Sequence, residues 1–238
     1  MQQINLLSYN LKSNVAYPEL ANLITAYDVE ILCLQECDKD NLAKSLAGLV
    51  LTAQTTTGTL GLAIYSRPEH FSVIQSVSIP VNPSVYEQLY IQDRERLLVV
   101  ELLDHTSNRP LFVASFHATH LIATNHLRRK QFRFALQTLN SLKGEHPAVL
   151  VGDFNYPFFH KRLLNTAADS NFKLIIPDAP TFHGRGINGK FDMVASAQLL
   201  TKLSVLPFGL SDHTPILVRI DSNLPMANDA TLPVKMHR

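Results

Sequence analysis

The chain has 238 residues, which suits one large domain or two small ones, and a core of that size needs no disulfide or metal to hold it. Lys and Arg number 21 against 20 for Asp and Glu, so the formal charge of +1 excludes a globally basic nucleic-acid coat, although not a local basic patch. Two cysteines, Cys33 and Cys37, cannot form a disulfide scaffold, and an extended backbone would hold them too far apart to bond. We therefore expect reduced, buried thiols.

Short apolar runs predict strands along most of the chain: Ile4–Leu11, Glu30–Gln35, Gly61–Ser66, Phe71–Ile79, Leu97–Leu103, Leu111–Phe116, Ala148–Val151, Lys173–Ile176, Phe191–Ala195, Leu203–Leu206 and Ile216–Ile220. Helical periodicity and end signals predict helices between some of them, at Tyr17–Tyr27, Asn41–Ala47, Asn125–Leu142 and His160–Ala168. Many strands are consecutive, which disfavours a doubly wound parallel sheet and favours two packed sheets with helices outside. We expect one domain over residues 1–221 and a weakly patterned tail over 222–238.

The beginning of the chain has neither a basic leader region nor a long apolar segment, so no signal peptide is predicted. No run approaches the length of about 20 apolar residues that a membrane span needs. We expect a monomeric, cytoplasmic protein without stable membrane insertion, although a mature secreted chain would look the same.

Acidic, amide and imidazole side chains follow or close the predicted strands. They are Asn10, Glu36, His120, Asp153, Asn155, Asp192, Asp212 and His213. Each alone has an ordinary explanation, since a single carboxylate at a strand end is more often a solvated end, a turn or a helix cap. Carboxylates that converge repel one another unless a cation lies among them, and oxygen ligands without Cys select a hard ion, Mg²⁺ or Mn²⁺.

The ordered combination of these motifs resembles the endonuclease/exonuclease/phosphatase superfamily, and the resemblance runs from residue 4 to about residue 220. The matching segments are Tyr9-Asn10, Leu34-Gln35-Glu36, Thr119-His120-Leu121, Gly152-Asp153-Phe154-Asn155, Phe191-Asp192 and Ser211-Asp212-His213. The resemblance implies an α/β fold, a four-layer sandwich of two mixed β-sheets flanked by helices. It also implies a divalent-metal-dependent phosphoesterase whose substrate is a phosphate ester, with nucleic acid as one candidate.

The same resemblance implies a role for each strand-end residue. Glu36 would be the main metal ligand, with Asn10 beside it and Asp212 as a second acidic contact. Asp153 would orient or deprotonate the attacking water, and Asn155 would donate its amide to the phosphoryl oxygens.

Two histidines complete the expected site. His213 would face the phosphate with Asp192 as its carboxylate partner, and His120 would be the second histidine. We prefer His120 to His117, which could simply line the same strand. A zinc site at His117 and His120 is the less favoured alternative, because no Cys or acidic fourth ligand is local.

Several sequence features allow more than one interpretation. Arg128, on a basic helical stripe, and Arg185, in the loop Gly184–Gly189, are predicted substrate contacts, but the stripe could be a solvated face and the loop either a lid or a hairpin. Tyr156, Phe158 and Phe159 could form an aromatic platform or belong to the core. The function could be that of a phosphodiesterase resembling a nuclease, of a lipid or inositol-phosphate hydrolase, or of a catalytically silent scaffold.

Overall fold

The computed structural model describes residues 3–58, 60–81, 95–184 and 186–221, so Arg185 and the predicted tail at 222–238 lie outside the described residues. The strands, in chain order, are β1 (Gln3–Asn10), β2 (Ile31–Asp38), β3 (Ser45–Leu46), β4 (Leu49–Gln54), β5 (Leu60–Ser66), β6 (Phe71–Pro80), β7 (Glu95–Asp104), β8 (Arg109–His117), β9 (Ala148–Asp153), β10 (Lys173–Ile175), β11 (Phe182–Gly184), β12 (Ile187–Gly189), β13 (Asp192–Ala197), β14 (Leu200–Val205) and β15 (Ile216–Asp221). The helices are α1 (Leu20–Ala26), α2 (Asn125–Lys143) and α3 (His160–Ala168), and short 3₁₀ turns span Tyr17–Glu19 and Lys39–Asn41.

The strands form two mixed sheets. One has seven strands in the order β14-β15-β1-β2-β5-β4-β3, and the other has six in the order β10-β13-β9-β8-β7-β6. Within the first, β1 is parallel to β2 and antiparallel to β15; within the second, β8 is parallel to β9, which is antiparallel to β13. Strands β11 and β12 form a separate hairpin.

Three buried apolar clusters hold four layers together. The central cluster joins the two sheets face to face, with Leu6 and Cys33 from one sheet meeting Val113 and Val151 from the other. A second cluster packs α2 and α3 on the outer face of the six-stranded sheet, and a third packs α1 on the outer face of the seven-stranded sheet. The predicted four-layer α/β sandwich of two mixed β-sheets flanked by helices is therefore confirmed.

Chain direction brings the polar strand ends to one edge of the sandwich. Because β1 and β2 are parallel, they end together, and the antiparallel β15 begins beside them. Likewise β8 and β9 end together, with His117 opposite Asp153, and β13 begins there, with Asp192 opposite Asp153. The expectation that strand-end side chains from distant parts of the sequence converge follows directly from this topology.

The helix predicted over Asn41–Ala47 is wrong. The structure has a 3₁₀ turn at Lys39–Asn41 followed by the hairpin of β3 and β4, in which Leu46 pairs with Leu49. Ala47 and Gly48 form the two-residue turn with φ of 47° and 84°. Positive φ at both turn positions matches the right-handed twist of a hairpin, so Gly48 is a turn residue here rather than a helix stop.

Two further sequence expectations have structural outcomes. Cys33 and Cys37 are free and buried, as predicted. Among the described residues, no helix has both the length and the apolar character needed to traverse a bilayer.

Candidate active site

Glu36 lies at an irregularity in β2 that turns its side chain toward the edge of the sandwich. The register between β2 and β5 shifts between Leu34 and Cys37, and Glu36 takes a left-handed φ of 53°. A bulge of this kind redirects a side chain at a strand end. Its Oε2 accepts a hydrogen bond from the backbone N of Ser13 at 2.9 Å. The carboxylate borders a pocket of about 130 Å³ that His117, His120, Arg96 and Glu95 also line.

Asn10 joins the two sheets at the site. Its buried Nδ2 donates to Glu36 Oε1 at 3.3 Å and to Asp153 Oδ2 at 3.1 Å, and its Oδ1 accepts from the backbone N of Lys12 at 3.0 Å. One amide therefore bridges a carboxylate of the seven-stranded sheet and a carboxylate of the six-stranded sheet, which fixes their separation.

Asp153 is the buried centre of the arrangement. Asn155, with a left-handed φ of 47°, donates its backbone N to Asp153 Oδ1 at 2.8 Å and its Nδ2 to Asp153 Oδ2 at 2.9 Å. Burial raises the pKa of Asp153 to about 7; His213 opposes this shift, and Asp192 adds to it. The preceding Gly152 has φ of 140°, and a Cβ there would lie 1.9 Å from the carbonyl oxygen of Phe116, so only glycine fits.

His213 and Asp192 form a buried hydrogen-bonded pair beside Asp153. His213 Nδ1 lies 2.8 Å from Asp192 Oδ2, and its Nε2 lies 3.6 Å from Asp153 Oδ2. Although burial alone would lower it, the Asp192 and Asp153 carboxylates raise the pKa of His213 to about 10. The ring is therefore a cation at neutral pH, oriented by Asp192 with Nε2 directed toward the centre of the site. The backbone N of His213 also donates to Ser211 Oγ, which in turn donates to the carbonyl of Asn10.

The second histidine at the carboxylates is His117, whereas His120 was predicted from the sequence. His117 Nε2 lies 3.6 Å from Asp153 Oδ2 and 3.8 Å from Glu36 Oε1, and burial lowers its pKa well below the ordinary value. His120 is exposed at the pocket rim, with its ring 6.0 Å from the His117 ring, edge to face. His117 is the last residue of β8, directly after the predicted strand, so strand-end reasoning would have found it had it been applied there.

The other predicted residues that the structure describes make different contacts. Asp212 is partly exposed, with Oδ2 3.8 Å from Lys12 Nζ. Arg128, predicted to contact substrate, is buried, and its guanidinium donates to the backbone oxygens of Leu121 and Ala123, so it holds the loop after β8. Of the aromatic residues after Asn155, Tyr156 is buried, whereas Phe158 and Phe159 are exposed. Strands β11 and β12, on either side of Arg185, pair with each other, and Arg185 itself lies outside the described residues.

The donor set suits a hard divalent cation. Glu36, Asp153 and Asp212 offer carboxylate oxygens, and no cysteine is among them. Asn10 offers an amide oxygen only by sharing Oδ1 with the backbone N of Lys12, since its Nδ2 faces the carboxylates. His117 Nε2 is buried without a hydrogen-bond partner among the described residues, although it lies beside two carboxylates. A buried polar atom of this kind needs a partner, which an ion-bound oxygen or a substrate oxygen would supply. Asp153, Asp192 and His213 also cluster within 4.8 Å, but His213 Nδ1 is already engaged by Asp192, so we interpret that cluster as a proton-handling relay.

Comparison with known proteins identifies a family and several related folds. The Endonuclease/Exonuclease/phosphatase family matches residues 7–213. Among solved structures, TDP2 of D. rerio carrying 14 humanising mutations superposes with a TM-score of 0.75 at 14% identity, covering 92% of this chain and 99% of that chain. The catalytic domain of human nocturnin with bound sulfate gives a TM-score of 0.74 at 16% identity, covering 92% and 94%.

A mannosyl-6-phosphatase from Bacteroides thetaiotaomicron gives a TM-score of 0.73 at 17% identity, covering 92% of this chain and 99% of that chain. A search of the curated proteins finds no sequence match for this chain. At these identities the structural neighbours show a shared fold. The chain belongs to the endonuclease/exonuclease/phosphatase family, and its fold is that of a phosphoesterase.

Proposed function

We propose that this protein is a divalent-metal-dependent phosphodiesterase, resembling a nuclease, that hydrolyses its substrate by attack of water with Mg²⁺ or Mn²⁺. The observation that carries the proposal is the buried chain of contacts from Asp192 through His213 to Asp153, next to Glu36 and Asn10. The family is generally dependent on divalent metal ions. We propose that residues 1–221 make up the catalytic domain and that the protein acts as a cytoplasmic monomer.

Glu36 and Asn10 would hold the metal ion, with Asp212 as a further acidic contact. When bound, the ion would neutralise phosphate charge and stabilise the developing charge on the leaving oxygen. Without a cation, the proximity of Glu36 and Asp153 would be unfavourable, since burial and like charge both oppose ionisation of Asp153.

Each remaining side chain has a role that follows from its contacts. Asp153 would accept the proton of the attacking water, and Asn155 would hold the carboxylate in place through the two hydrogen bonds described above. The protonated His213, oriented by Asp192, would donate from Nε2 to a non-bridging phosphate oxygen. His117 would give a second imidazole contact to the phosphate.

The reaction balances in a single displacement. The water oxygen forms a bond to phosphorus while the bond from phosphorus to the leaving oxygen breaks. Asp153 takes one proton from the water, and the leaving oxygen takes one from solvent. The products are an alcohol and a phosphomonoester.

The structural neighbours favour no single substrate. One TDP2 structure contains a single-stranded DNA product, ANGEL2 is described as a 2′,3′-cyclic phosphatase, and the Bacteroides protein is a phosphatase. A lipid or inositol-phosphate hydrolase is the alternative, because variable loops decide the substrate on a shared fold. A silent scaffold is disfavoured, because such a protein would be expected to lack one or more of the site carboxylates and histidines, and this chain retains them.

The test is hydrolysis of bis(p-nitrophenyl) phosphate, plasmid DNA, RNA, sphingomyelin and inositol phosphates with Mg²⁺ or with EDTA. We expect cleavage of phosphodiesters only with metal. Asp153→Ala and His213→Ala should each lower the rate by ~10²-fold or more while the circular dichroism spectrum is unchanged.

His146→Ala is the matched control. His146 is an exposed imidazole just before the first residue of β9, whereas Asp153 is the last residue of that strand. Full activity of both site variants, or undiminished activity in EDTA, would refute the proposal.

A further inference from the structure

Large aromatic side chains are exposed on the loops that leave the site. Phe158 and Phe159 are 65% and 67% exposed, and Phe208 is 59% exposed. Burial of such rings is normally favourable, so three exposed phenylalanines near one functional edge indicate a binding surface. We refer to these three residues as the aromatic rim.

One part of the aromatic rim follows the catalytic motif directly. Phe159 is four residues after Asn155, so their Cα atoms are separated by roughly 14 Å at most. Phe159 has φ of 64° and ψ of 40°, a left-handed conformation that is unusual for a bulky residue. Its carbonyl accepts from the backbone N of Arg162 at 2.9 Å, and the Phe158 carbonyl accepts from Asn125 Nδ2 at 3.2 Å. These two hydrogen bonds therefore hold the backbone that carries both rings.

The other part of the aromatic rim is connected to His213. The Phe208 ring meets the His183 ring edge to face at 5.2 Å, and the backbone N of His183 donates to the carbonyl of Asp212 at 2.7 Å. The adjacent Phe182 ring lies 5.0 Å from the His213 ring. Phe208 thus stands on the strand-end segment that carries Asp212 and His213.

Positive charge accompanies the exposed rings. The Arg162 guanidinium carbon lies 5.5 Å from the centroid of the Phe159 ring. A cation over a ring that is otherwise open to solvent suits a ligand with flat aromatic groups linked by anionic phosphates. Lipid tails would cover the apolar rings but would offer no negative charge to Arg162, whereas a nucleic-acid strand offers both flat base faces and phosphates.

We propose that the aromatic rim binds single-stranded nucleic acid, with bases on either side of the scissile phosphate stacked on Phe158, Phe159 and Phe208. The inference deepens the proposed function and rests on it for the identity of the scissile group. Unpaired bases are required because the faces of bases in a duplex are already stacked.

The test measures binding separately from cleavage. Fluorescence anisotropy of a fluorescein-labelled 12-nucleotide single strand is recorded in EDTA with the wild-type protein and with Phe158→Leu, Phe159→Leu and Phe208→Leu. Leucine keeps apolar bulk but has no aromatic face. We expect each change to weaken binding about 5-fold or more, in line with the contribution of one stacked base.

The controls separate stacking from other attractions. Ile74→Ala removes an exposed apolar side chain on β6, away from the site, and should leave affinity unchanged. A single strand of the same length with abasic positions should bind the wild type more weakly, and the leucine variants should have no further effect on it.

Binding of phosphatidylcholine vesicles is measured with the same variants. Four results would overturn the inference: no binding of the single strand by the wild type, wild-type affinity in all three leucine variants, equal affinity of the wild type for the abasic strand, or leucine variants that lose binding to the vesicles rather than to the single strand. Hydrolysis of bis(p-nitrophenyl) phosphate with Mg²⁺ is measured in parallel. Absence of that hydrolysis with the expected binding pattern would refute the proposed function alone.

Discussion

Replacing Asp192 with Asn should change how the stability of the metal-free protein depends on pH. His213 is buried, its Nδ1 lies 2.8 Å from Asp192 Oδ2, and its pKa is raised from 6.5 to about 10, with burial opposing the shift and Asp192 the largest favourable cause. A group whose pKa is higher in the folded state stabilises the fold fully below its unfolded pKa. That contribution is lost as the pH rises toward the folded pKa. The window for His213 therefore runs from about pH 6.5 to about 10.

The expected magnitude follows from one proton held in the folded state but released in the unfolded state. Each unit rise in pH across this window therefore lowers the free energy of unfolding by about 1.4 kcal/mol, or by about 2 kcal/mol between pH 7 and 8.5. The raised pKa of Asp153 acts mainly below this range, between its ordinary value of 3.8 and about 7. In Asp192→Asn the decline should be much shallower, because most of the shift at His213 is lost.

Urea unfolding in EDTA, followed by circular dichroism at several pH values from 7 to 8.5, measures this slope. Comparing the variant with the wild type cancels the titration of groups that the two proteins share. His146→Gln, at an exposed imidazole, should follow the wild type. Parallel curves for Asp192→Asn and the wild type would refute the assignment of a charged His213 held by Asp192.

Two further predictions concern the supporting structure. Gly152→Ala should lower the free energy of unfolding by about 3 kcal/mol or more, because the new Cβ would overlap a backbone oxygen of β8. Gly144→Ala, where φ is also positive but no atom lies within 4 Å of the new Cβ, should cost about 1 kcal/mol. Urea unfolding measures both, and equal losses would contradict the steric argument. Burial raises the pKa of the Cys37 thiol to about 12 and raises the pKa of the Cys33 thiol as well. Neither thiol should therefore react with Ellman's reagent until urea unfolds the chain. Rapid reaction of the native protein would disprove this.

The apolar runs were sufficient to predict the strands that carry the site. The predicted Ile4–Leu11 and Ala148–Val151 overlap β1 and β9 closely, because buried strands of a sandwich have continuous apolar sequences. The β3–β4 hairpin was missed because Ala47 adopts positive φ without any local sequence signal for it. Such a turn depends on the pairing of its strands, which is not visible in a short window of sequence.

The site was predictable in its composition but not in its details. Polar residues at strand ends indicated a convergent site. The choice between His117 and His120 depends on the parallel register of β8 and β9, which only the assembled sheet defines. The contacts of Arg128 were not predictable, because helical position alone does not reveal that its guanidinium donates to the loop after β8.

The pairing of β15 with both β1 and β14 has a consequence for synthesis of the protein on the ribosome. Strand β1 emerges long before β15, its partner on one side and the last described strand. Until β15 arrives, one edge of β1 presents unpaired backbone groups next to an apolar face, which is a hazard for association between nascent chains. His213, which the proposed mechanism requires, lies just before β15 and arrives at the same late stage. A nascent chain should therefore acquire the proposed activity only when it also loses this exposed edge.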